Sequence, residues 1–157
     1  MYYAIIKGDG TLCLQYPMKK STHSFIKLTS HLQNSFEFNI VFKSPYRFTR
    51  DFMTIYGLDL CDFCLKLSNK KRYIRHIDSK VLLGFSINRK VAKAHKRNLI
   101  KRRIKAIMCN LVSQGEISHT AFIFVCRRNI IELSFHDLEK HIRYAVKKIT
   151  LYSQSNK

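Results

Sequence analysis

The chain has 157 residues, which fits one domain, and 46% of them are hydrophobic, enough to form a buried core. Only 10 aspartates and glutamates stand against 29 lysines and arginines, so the formal net charge is +19. Such a charge opposes compact folding by self-repulsion and is usual where a polyanion neutralises it. Nucleic acid is therefore the first partner class to consider, and an anionic membrane is the second.

The sequence shows no signal for export or membrane insertion. No apolar run approaches the ~20 residues of a membrane span, and the start, MYYAIIKGDGTLCLQYP, lacks the features of a secretory signal. We therefore expect a cytoplasmic protein. The five cysteines are an odd number and do not form a disulfide framework. Cys61 and Cys64 form a C-x-x-C pair without a second pair at zinc spacing, so we predict no metal site in the protein.

We predict an N-terminal extension (1–23), a single domain (24–150) and a C-terminal tail (151–157). The composition shifts at Met18, where a basic, Ser/Thr-rich stretch begins. In the first 17 residues only Lys7 and Asp9 are charged. Three interpretations of this segment remain open: a short hairpin around KGDG, whose Asp-Gly is a turn signal, a poorly anchored tail, or a segment that precedes a true start at Met18.

The first predicted elements of the domain are a helix and a strand. After the possible N-cap Asn34, the residues Phe38, Val41 and Phe42 recur at i, i+3 and i+4, which predicts a short amphipathic helix that ends before Pro45. The segment RFTRDFMTIYGLDL (47–60) alternates and is rich in aromatic and β-branched residues. It is predicted to be a strand that Gly57 bends or ends.

The middle of the chain is predicted to add a hairpin and two buried strands. In residues 61–80, an apolar run (FCLKL), a basic turn (SNKKR) and a second run (YIRHI) predict the hairpin. The segments KVLLGFSI from Lys80 and TAFIFVCR from Thr120 are continuous runs of β-forming residues. This composition is typical of strands buried in the core.

Two long helices complete the pattern. Beyond Ala92 an apolar stripe winds onto one face of a helix that is predicted to run to about Val112 and to be closed by Gly115. A last helix begins at the N-cap Ser134, with Asp137 three residues later. The order helix, strands, helix, strand, helix predicts an α+β fold, a small α/β sandwich whose mixed sheet is packed by helices. The stripe of the first of these helices consists of Ile100, Ile104, Ile107, Met108 and Leu111.

The face of that helix opposite its stripe is strongly basic. Residues 89–105 contain nine lysines and arginines, and no acidic residue occurs between Asp78 and Glu116. Charge runs are most often merely solvated faces, but each cation that meets a phosphate releases counterions and so favours binding of a nucleic acid. Asn98 is a poor helix former inside this run, and its amide suits hydrogen bonding among phosphates and sugars.

The segment GFSINRKVAKAHKRNLIKRRIK resembles the signature of the bacterial ribonuclease P protein component, a strand and turn that lead into a basic helix. Gly84, Ser86 and Lys90 match the turn. The resemblance spans about Ser24 to Ile149, with an unusually long region at 57–79. Leu99 stands where the family has an arginine, and Arg103 lies near enough on the helix to substitute for it. The helix positions that match are Arg97, Asn98, Lys101 and Arg102.

The resemblance implies a fold and an activity. It implies the ribosomal protein S5 domain 2-like fold and the role of protein subunit of a ribonucleoprotein that removes the 5′ leader from precursor tRNA. The RNA subunit would hold the catalytic Mg²⁺, and the protein would contribute no catalytic residue and bind no cofactor alone. Precursor tRNA and the catalytic RNA are the implied partners, without an obligate protein partner or a membrane. The dispersed carboxylates agree, because no acid pair or Ser/His/Asp group stands out.

The resemblance also implies two RNA-binding surfaces. Aromatic rings suit a leader-binding cleft because unstacked bases lie on them with little sequence preference, although Phe38 and Phe42 could equally be core residues. The leader-binding set is Phe38, Phe42, Phe52, Ser86, Asn88, Arg89 and Lys90. The set for the catalytic RNA is Lys93, Arg97, Asn98, Lys101, Arg102, Arg103 and Lys105.

Two other functions compete with this interpretation. A ribosomal-type protein that binds structured RNA without any processing activity would explain the same size, charge and basic helix. A peripheral membrane protein is disfavoured, because the apolar stripe of the basic helix is needed for the core and leaves little to insert into lipid.

Overall fold

The computed structural model describes residues 3–6, 12–15, 27–68, 77 and 79–155. Two short strands, β1 (Tyr3–Ile6) and β2 (Leu12–Gln15), pair antiparallel. The main sheet has five strands in the order β3-β6-β7-β5-β4. These strands are β3 (Lys27–His31), β4 (Arg47–Arg50), β5 (Met53–Asp59), β6 (Ser79–Ile87) and β7 (Thr120–Cys126). The helices are α1 (Ser35–Phe42), α2 (Leu60–Ser68), α3 (Ala94–Ser113) and α4 (Phe135–Ser155), with a short 3-10 helix at Arg128–Glu132.

The five-stranded sheet is mixed, as predicted. Strands β3, β6 and β7 are parallel, whereas β5 runs antiparallel to β7 and β4 runs antiparallel to β5. Helix α3 makes the crossover between β6 and β7, which parallel strands require. The sheet therefore ends in β3 on one side and in the short edge strand β4 on the other.

Helices cover both faces of the sheet and create two apolar clusters. Helices α3 and α4 pack on one face, hereafter the α3/α4 face, and helices α1 and α2 pack on the other, the α1/α2 face. Strand β7 supplies both clusters by alternation: Phe122 and Phe124 point to the α3/α4 face, and Ala121 and Ile123 to the α1/α2 face. All four side chains have no exposed surface. The predicted sandwich is thus confirmed.

Most of the predicted elements are confirmed near their expected bounds. Helix α1 follows the cap Asn34, whose Oδ1 accepts a hydrogen bond from the Glu37 amide at 2.9 Å. Helix α3 buries the whole predicted stripe, and Gly115 follows it with φ +73°, a conformation that glycine adopts without strain. Ser134 caps α4 by accepting a hydrogen bond from the Asp137 amide at 3.1 Å.

Two predicted elements are wrong. Residues 47–60 form a hairpin, β4 and β5, that turns at residues 51–52, and Gly57 lies inside β5 instead of ending it. The predicted hairpin at 61–80 begins as helix α2, because Leu60, Phe63 and Leu67 have helical spacing and all three are buried. Its second half, 69–76, lies outside the described residues.

The structure also shows regular elements in the segments before and after the predicted domain. The pairing of β1 with β2 favours the hairpin among the three interpretations of the first segment, while the KGDG turn itself lies outside the described residues. Helix α4 continues through residues 151–155, which the sequence had suggested as part of a tail. Leu151 and Tyr152 are nevertheless exposed there, at 63% and 57%.

Gly57 is a point of close approach between the sheet and α4. A Cβ atom built on Gly57 would lie 2.4 Å from Ile149 Cγ2 of α4, and 3.2 Å from the Phe122 ring. The Gly57 amide also donates to the Tyr46 carbonyl at 3.0 Å, and its carbonyl accepts from the Ser44 hydroxyl at 2.6 Å. Glycine is required here because of close packing.

Replacing Gly57 with alanine should destabilise the protein. The added methyl group would force α4 away from the sheet, and overpacking of this kind costs roughly 1–3 kcal/mol of unfolding free energy. Urea denaturation of the wild type and Gly57→Ala measures this cost. In an Ile149→Ala background the same change should cost less, because the clashing atom is gone. An equal cost in both backgrounds would contradict the packing explanation.

Candidate nucleic-acid interface

A tight turn connects β6 to α3 and displays two cations. The Asn88 side-chain oxygen accepts a hydrogen bond from the Lys90 amide at 3.0 Å, and the Asn88 carbonyl accepts from the Val91 amide at 3.0 Å. These bonds form an Asx turn, which asparagine favours. Ser86, Asn88, Arg89 and Lys90, four of the predicted leader-binding residues, are all exposed in this region.

The outer face of α3 is a continuous cationic surface. The buried stripe on α3 turns Asn98, Lys101, Arg102 and Lys105 outward, and all four are exposed as predicted. Lys93 precedes the helix in an extended conformation and is exposed as well. Five of the seven residues predicted to bind the catalytic RNA therefore share one accessible surface.

The other two residues of that set are partly engaged by the protein. Arg97 is half-buried, and its Nε is buried without a hydrogen-bond partner among the described residues. The Arg103 guanidinium points toward the start of α4 and donates to the Leu133 carbonyl at 3.4 Å. Leu99, one helical turn before Arg103, is 45% exposed. Arg103 is thus a neighbour of Leu99, but its guanidinium is held by the protein backbone.

An aromatic cleft lies on the α1/α2 face. The Phe42 ring meets the Tyr56 ring edge-on at 5.2 Å between centroids, and the Phe38 and Phe42 centroids are 6.2 Å apart. Gly84 makes room for Phe38, since a Cβ there would lie 2.9 Å from Phe38 Cε1. Phe42 is 37% exposed and Phe38 is half-buried, so both rings pack at the margin of the core and remain partly accessible.

The strand register defines the floor of this cleft. One row of paired residues crosses the sheet from Gly84 through Ile123 and Tyr56 to Arg47. The next row contains Ser86, Val125, Thr54 and Thr49. Both rows lie on the α1/α2 face, because paired residues of neighbouring strands point to the same side. The cleft therefore extends from the β6–α3 turn to the β4 edge.

The structure separates Phe52 from the other predicted cleft residues. Its ring packs against the α3/α4 cluster and lies 5.1 Å from the His141 ring of α4. Tyr56 and Arg47 contribute to the cleft instead. Sequence reasoning missed Arg47 because residues 47–60 were taken as one strand; only a hairpin at 51–52 places Arg47 opposite Tyr56.

Helix α1 is held in place at its N-terminus. The carboxylate of Glu37 is buried and accepts a hydrogen bond from the Gln33 amide at 2.6 Å, while Asn34 accepts from the Glu37 amide. This reciprocal arrangement satisfies amides that the helix itself leaves unpaired. The cap thereby fixes the position of the Phe38 and Phe42 rings over the sheet.

The two cysteines of the C-x-x-C motif lie one turn apart on α2 and are free thiols. Burial, and secondarily the Asp59 carboxylate, raises the pKa of the Cys64 thiol, which disfavours the reactive thiolate. Within the described part of the chain, no group of three His, Cys, Asp or Glu side chains could hold a metal ion. None of the helices described is long and apolar enough to cross a bilayer.

Comparison with known proteins identifies the family. A family model described as Ribonuclease P matches residues 26–150. The ribonuclease P protein component of Helicobacter hepaticus is 31% identical over 115 residues, covering 71% of this chain and 77% of that protein. The corresponding protein of Helicobacter acinonychis is 32% identical over 113 residues, covering 70% and 71%.

Solved structures share the fold. The RNase P protein from Thermotoga maritima matches with a TM-score of 0.56 at 17% identity, covering 76% of this chain and 96% of that one. A Staphylococcus aureus RNase P protein mutant, described as defective in mRNA degradation activity, matches with a TM-score of 0.57 at 19% identity, covering 76% of this chain and 87% of that one.

Because the family model spans most of the chain, the chain belongs to the ribonuclease P protein family.

The cap of α1 can be tested by removing its acceptor. Asn34→Ala should lower the free energy of unfolding by about 1 kcal/mol, because the Glu37 amide loses its partner at the N-terminus of α1. Asn39→Ala on the exposed side of the same helix is the matched control and should not destabilise. Thermal unfolding of both variants measures the difference. Equal stability of the two would show that the cap does not hold α1.

Proposed function

We propose that this chain is the RNA-binding protein subunit of ribonuclease P, with α3 held against the catalytic RNA and the 5′ leader of precursor tRNA held in the aromatic cleft. The observation that carries this proposal is the presence of two surfaces of different chemistry. The outer face of α3 is cationic, whereas the cleft on the opposite side of the sheet is aromatic. The β6–α3 turn, with Arg89 and Lys90, connects them.

The α3 surface suits a folded RNA. Lys101, Arg102 and Lys105 project from a rigid helix, so they can meet phosphates at fixed spacing without ordering a loop. Asn98 adds an amide that donates and accepts. Arg97 is half-buried and adds a further cation at the margin of this surface.

The cleft suits a single strand of varying sequence. Phe42 and Tyr56 offer partly accessible rings, and stacking of a base on such a ring contributes about 1–3 kcal/mol with little dependence on the base. Arg47 and Lys90 lie at the two ends of the floor and can neutralise the backbone. A processing enzyme that meets many leaders needs this tolerance.

The proposal leaves the chemical step to the RNA subunit, which would also hold the catalytic Mg²⁺. Several carboxylates of the described chain already have structural partners. Glu37 caps α1, Asp59 accepts from the Cys61 amide at 2.8 Å, and Glu116 pairs with Arg143. Carboxylates engaged in this way are less available to bind a catalytic metal ion. The ribosomal-type alternative is not favoured, because the relatives are ribonuclease P components.

The protein should lower the Mg²⁺ requirement of cleavage. Catalytic RNA and substrate are both polyanions, and a cationic protein between them reduces their repulsion. We expect the cognate ribonuclease P RNA to cleave a 5′-extended precursor tRNA at the mature 5′ end at low Mg²⁺ only when the protein is present. An unchanged Mg²⁺ dependence, with tight binding to unrelated structured RNAs, would support the ribosomal-type alternative instead.

The exposed residues of α3 should carry the affinity for the catalytic RNA. The variant Asn98→Ala/Arg102→Ala should weaken binding and lower the slope of log K against log salt by about 1, because one phosphate contact is lost. Lys140→Ala, which removes an exposed cation on α4, is the charge control. Filter binding over a salt series measures both. A slope equally changed in both variants would mean that net charge, not the α3 surface, determines binding.

A further inference from the structure

A second aromatic and basic pocket lies at the β4 edge, next to the aromatic cleft. Its volume is about 390 Å³, and it opens between the start of β4 and the last turns of α4. Five of the lining side chains are aromatic or cationic residues that could contact a nucleotide, and none of the described residues that line the pocket is acidic. The lining residues are Pro45, Tyr46, Arg47, Phe48, Lys148, Ile149 and Tyr152.

Rings and cations alternate around this pocket. The Tyr144 ring stands edge-on to Phe48, with centroids 5.7 Å apart. The Arg50 Cζ lies 5.3 Å from the Phe48 centroid, and the Lys148 Nζ lies 5.2 Å from the Tyr144 centroid. A hydrogen bond with the Tyr144 side chain is the main cause that raises the pKa of Lys148 above its usual value.

Two of the rings are presented to solvent. Tyr144 is 47% exposed and Tyr152 is 57% exposed, values that exceed the 37% of Phe42 in the cleft. Exposed aromatic rings beside cations are the arrangement by which proteins hold single-stranded nucleic acid, because the ring stacks on a base and the cation meets its phosphate. The pocket therefore has the chemistry of the leader cleft on the other side of the edge strand.

The strand register makes the cleft and the pocket continuous. Arg47 pairs with Tyr56 of the cleft and also lines the pocket. Phe48, the next residue of β4, points to the α3/α4 face and lines the pocket as well. Because β4 is the edge strand of the five-stranded sheet, no other strand of the described chain separates the two surfaces. A single RNA strand leaving the cleft meets Arg47 first and the pocket next.

The order of strands gives this path a direction. Helix α3, which the proposed function places on the catalytic RNA, packs on β3 and β6. The pocket lies beside β4, at the opposite side of the sheet. A leader that starts at the cleavage site in the catalytic RNA and crosses the cleft thus reaches β4 with its nucleotides farther from the cleavage site.

We propose that the pocket between β4 and α4 binds an unpaired nucleotide of the distal 5′ leader, with Tyr152 stacking on the base and Lys148 contacting its phosphate, while Tyr144 and Arg50 flank the pocket. This inference rests on the proposed function and extends the leader path beyond the cleft. It predicts that long leaders gain affinity from the pocket and that leaders too short to pass Arg47 do not.

The test is a series of leader lengths measured with the holoenzyme. Precursor tRNAs with leaders of about 3, 6, 10 and 15 nucleotides cover a range comparable to known single-strand binding sites. Tyr152→Ala should weaken binding of the longest leaders by about fivefold or more, the loss expected for one stacked base, and leave the shortest unchanged. Lys148→Ala should lower the salt slope by about 0.7, again for long leaders only.

Matched controls come from the same helix. Phe135→Ala removes a 44% exposed ring at the start of α4, about 25 Å along the helix from Tyr152, and should not change affinity at any leader length. Lys140→Ala is the corresponding control for Lys148. Tyr152 is exposed and Lys148 is half-buried, so neither substitution removes a core residue. Circular dichroism of each variant verifies that the fold is retained.

The outcomes separate this inference from the proposed function. If Phe42→Ala weakens binding of intermediate and long leaders while Tyr152→Ala matches the wild type at every length, the pocket proposal is overturned and the leader cleft stands. If Phe42→Ala has no effect at any length, the leader cleft and the path that depends on it both fail. Pocket-dependent binding to phosphatidylserine vesicles, without any leader effect, would assign the pocket to lipid and also overturn the inference.

Discussion

Strand β7 is buried on both faces, and the positions of the other elements follow from this. Ala121 and Ile123 on one side, and Phe122 and Phe124 on the other, have no exposed surface, so helices must cover the sheet on both sides. The helices leave part of the sheet open on the α1/α2 face, where it forms the floor of the aromatic cleft. Among the described residues, the other candidate binding groups lie on the outer face of α3, on the β6–α3 turn, at the margin of α1 and along the β4 edge.

The distribution of charge follows the same constraint. Acidic residues are few, and several of them serve the fold: Glu37 caps α1, Asp137 shares a hydrogen bond with Ser134, and Glu116 pairs with Arg143 and Lys147. Several cations of the described chain, such as Lys101, Arg102 and Lys105, are exposed instead. A bound polyanion such as RNA would relieve the repulsion that the net charge of +19 creates in the free protein.

The sequence was informative where its pattern had one physical meaning. The stripe from Ile100 to Leu111 allows only one buried face, so it determined both the core side of α3 and its basic side. The sequence was uninformative where the same residues fit both the period of a helix and that of a strand. Leu60, Phe63 and Leu67 occur inside a run of apolar residues that also fits a strand, and only packing against Leu58 and Leu82 selects the helix. The positions of Phe52 and Arg47 could not be predicted for a different reason. They follow from a turn at 51–52, and this turn contains neither glycine nor proline to mark it in the sequence.

Gly57 has a consequence for how this protein can diverge from its relatives. Its backbone holds Tyr46 and Ser44 at the start of β4, and its lack of a side chain seats Ile149 of α4 against the sheet. A larger residue at position 57 fits only after Ile149 has been replaced by a residue with a smaller side chain. The order of such substitutions is therefore constrained, because the smaller side chain at position 149 has to come first.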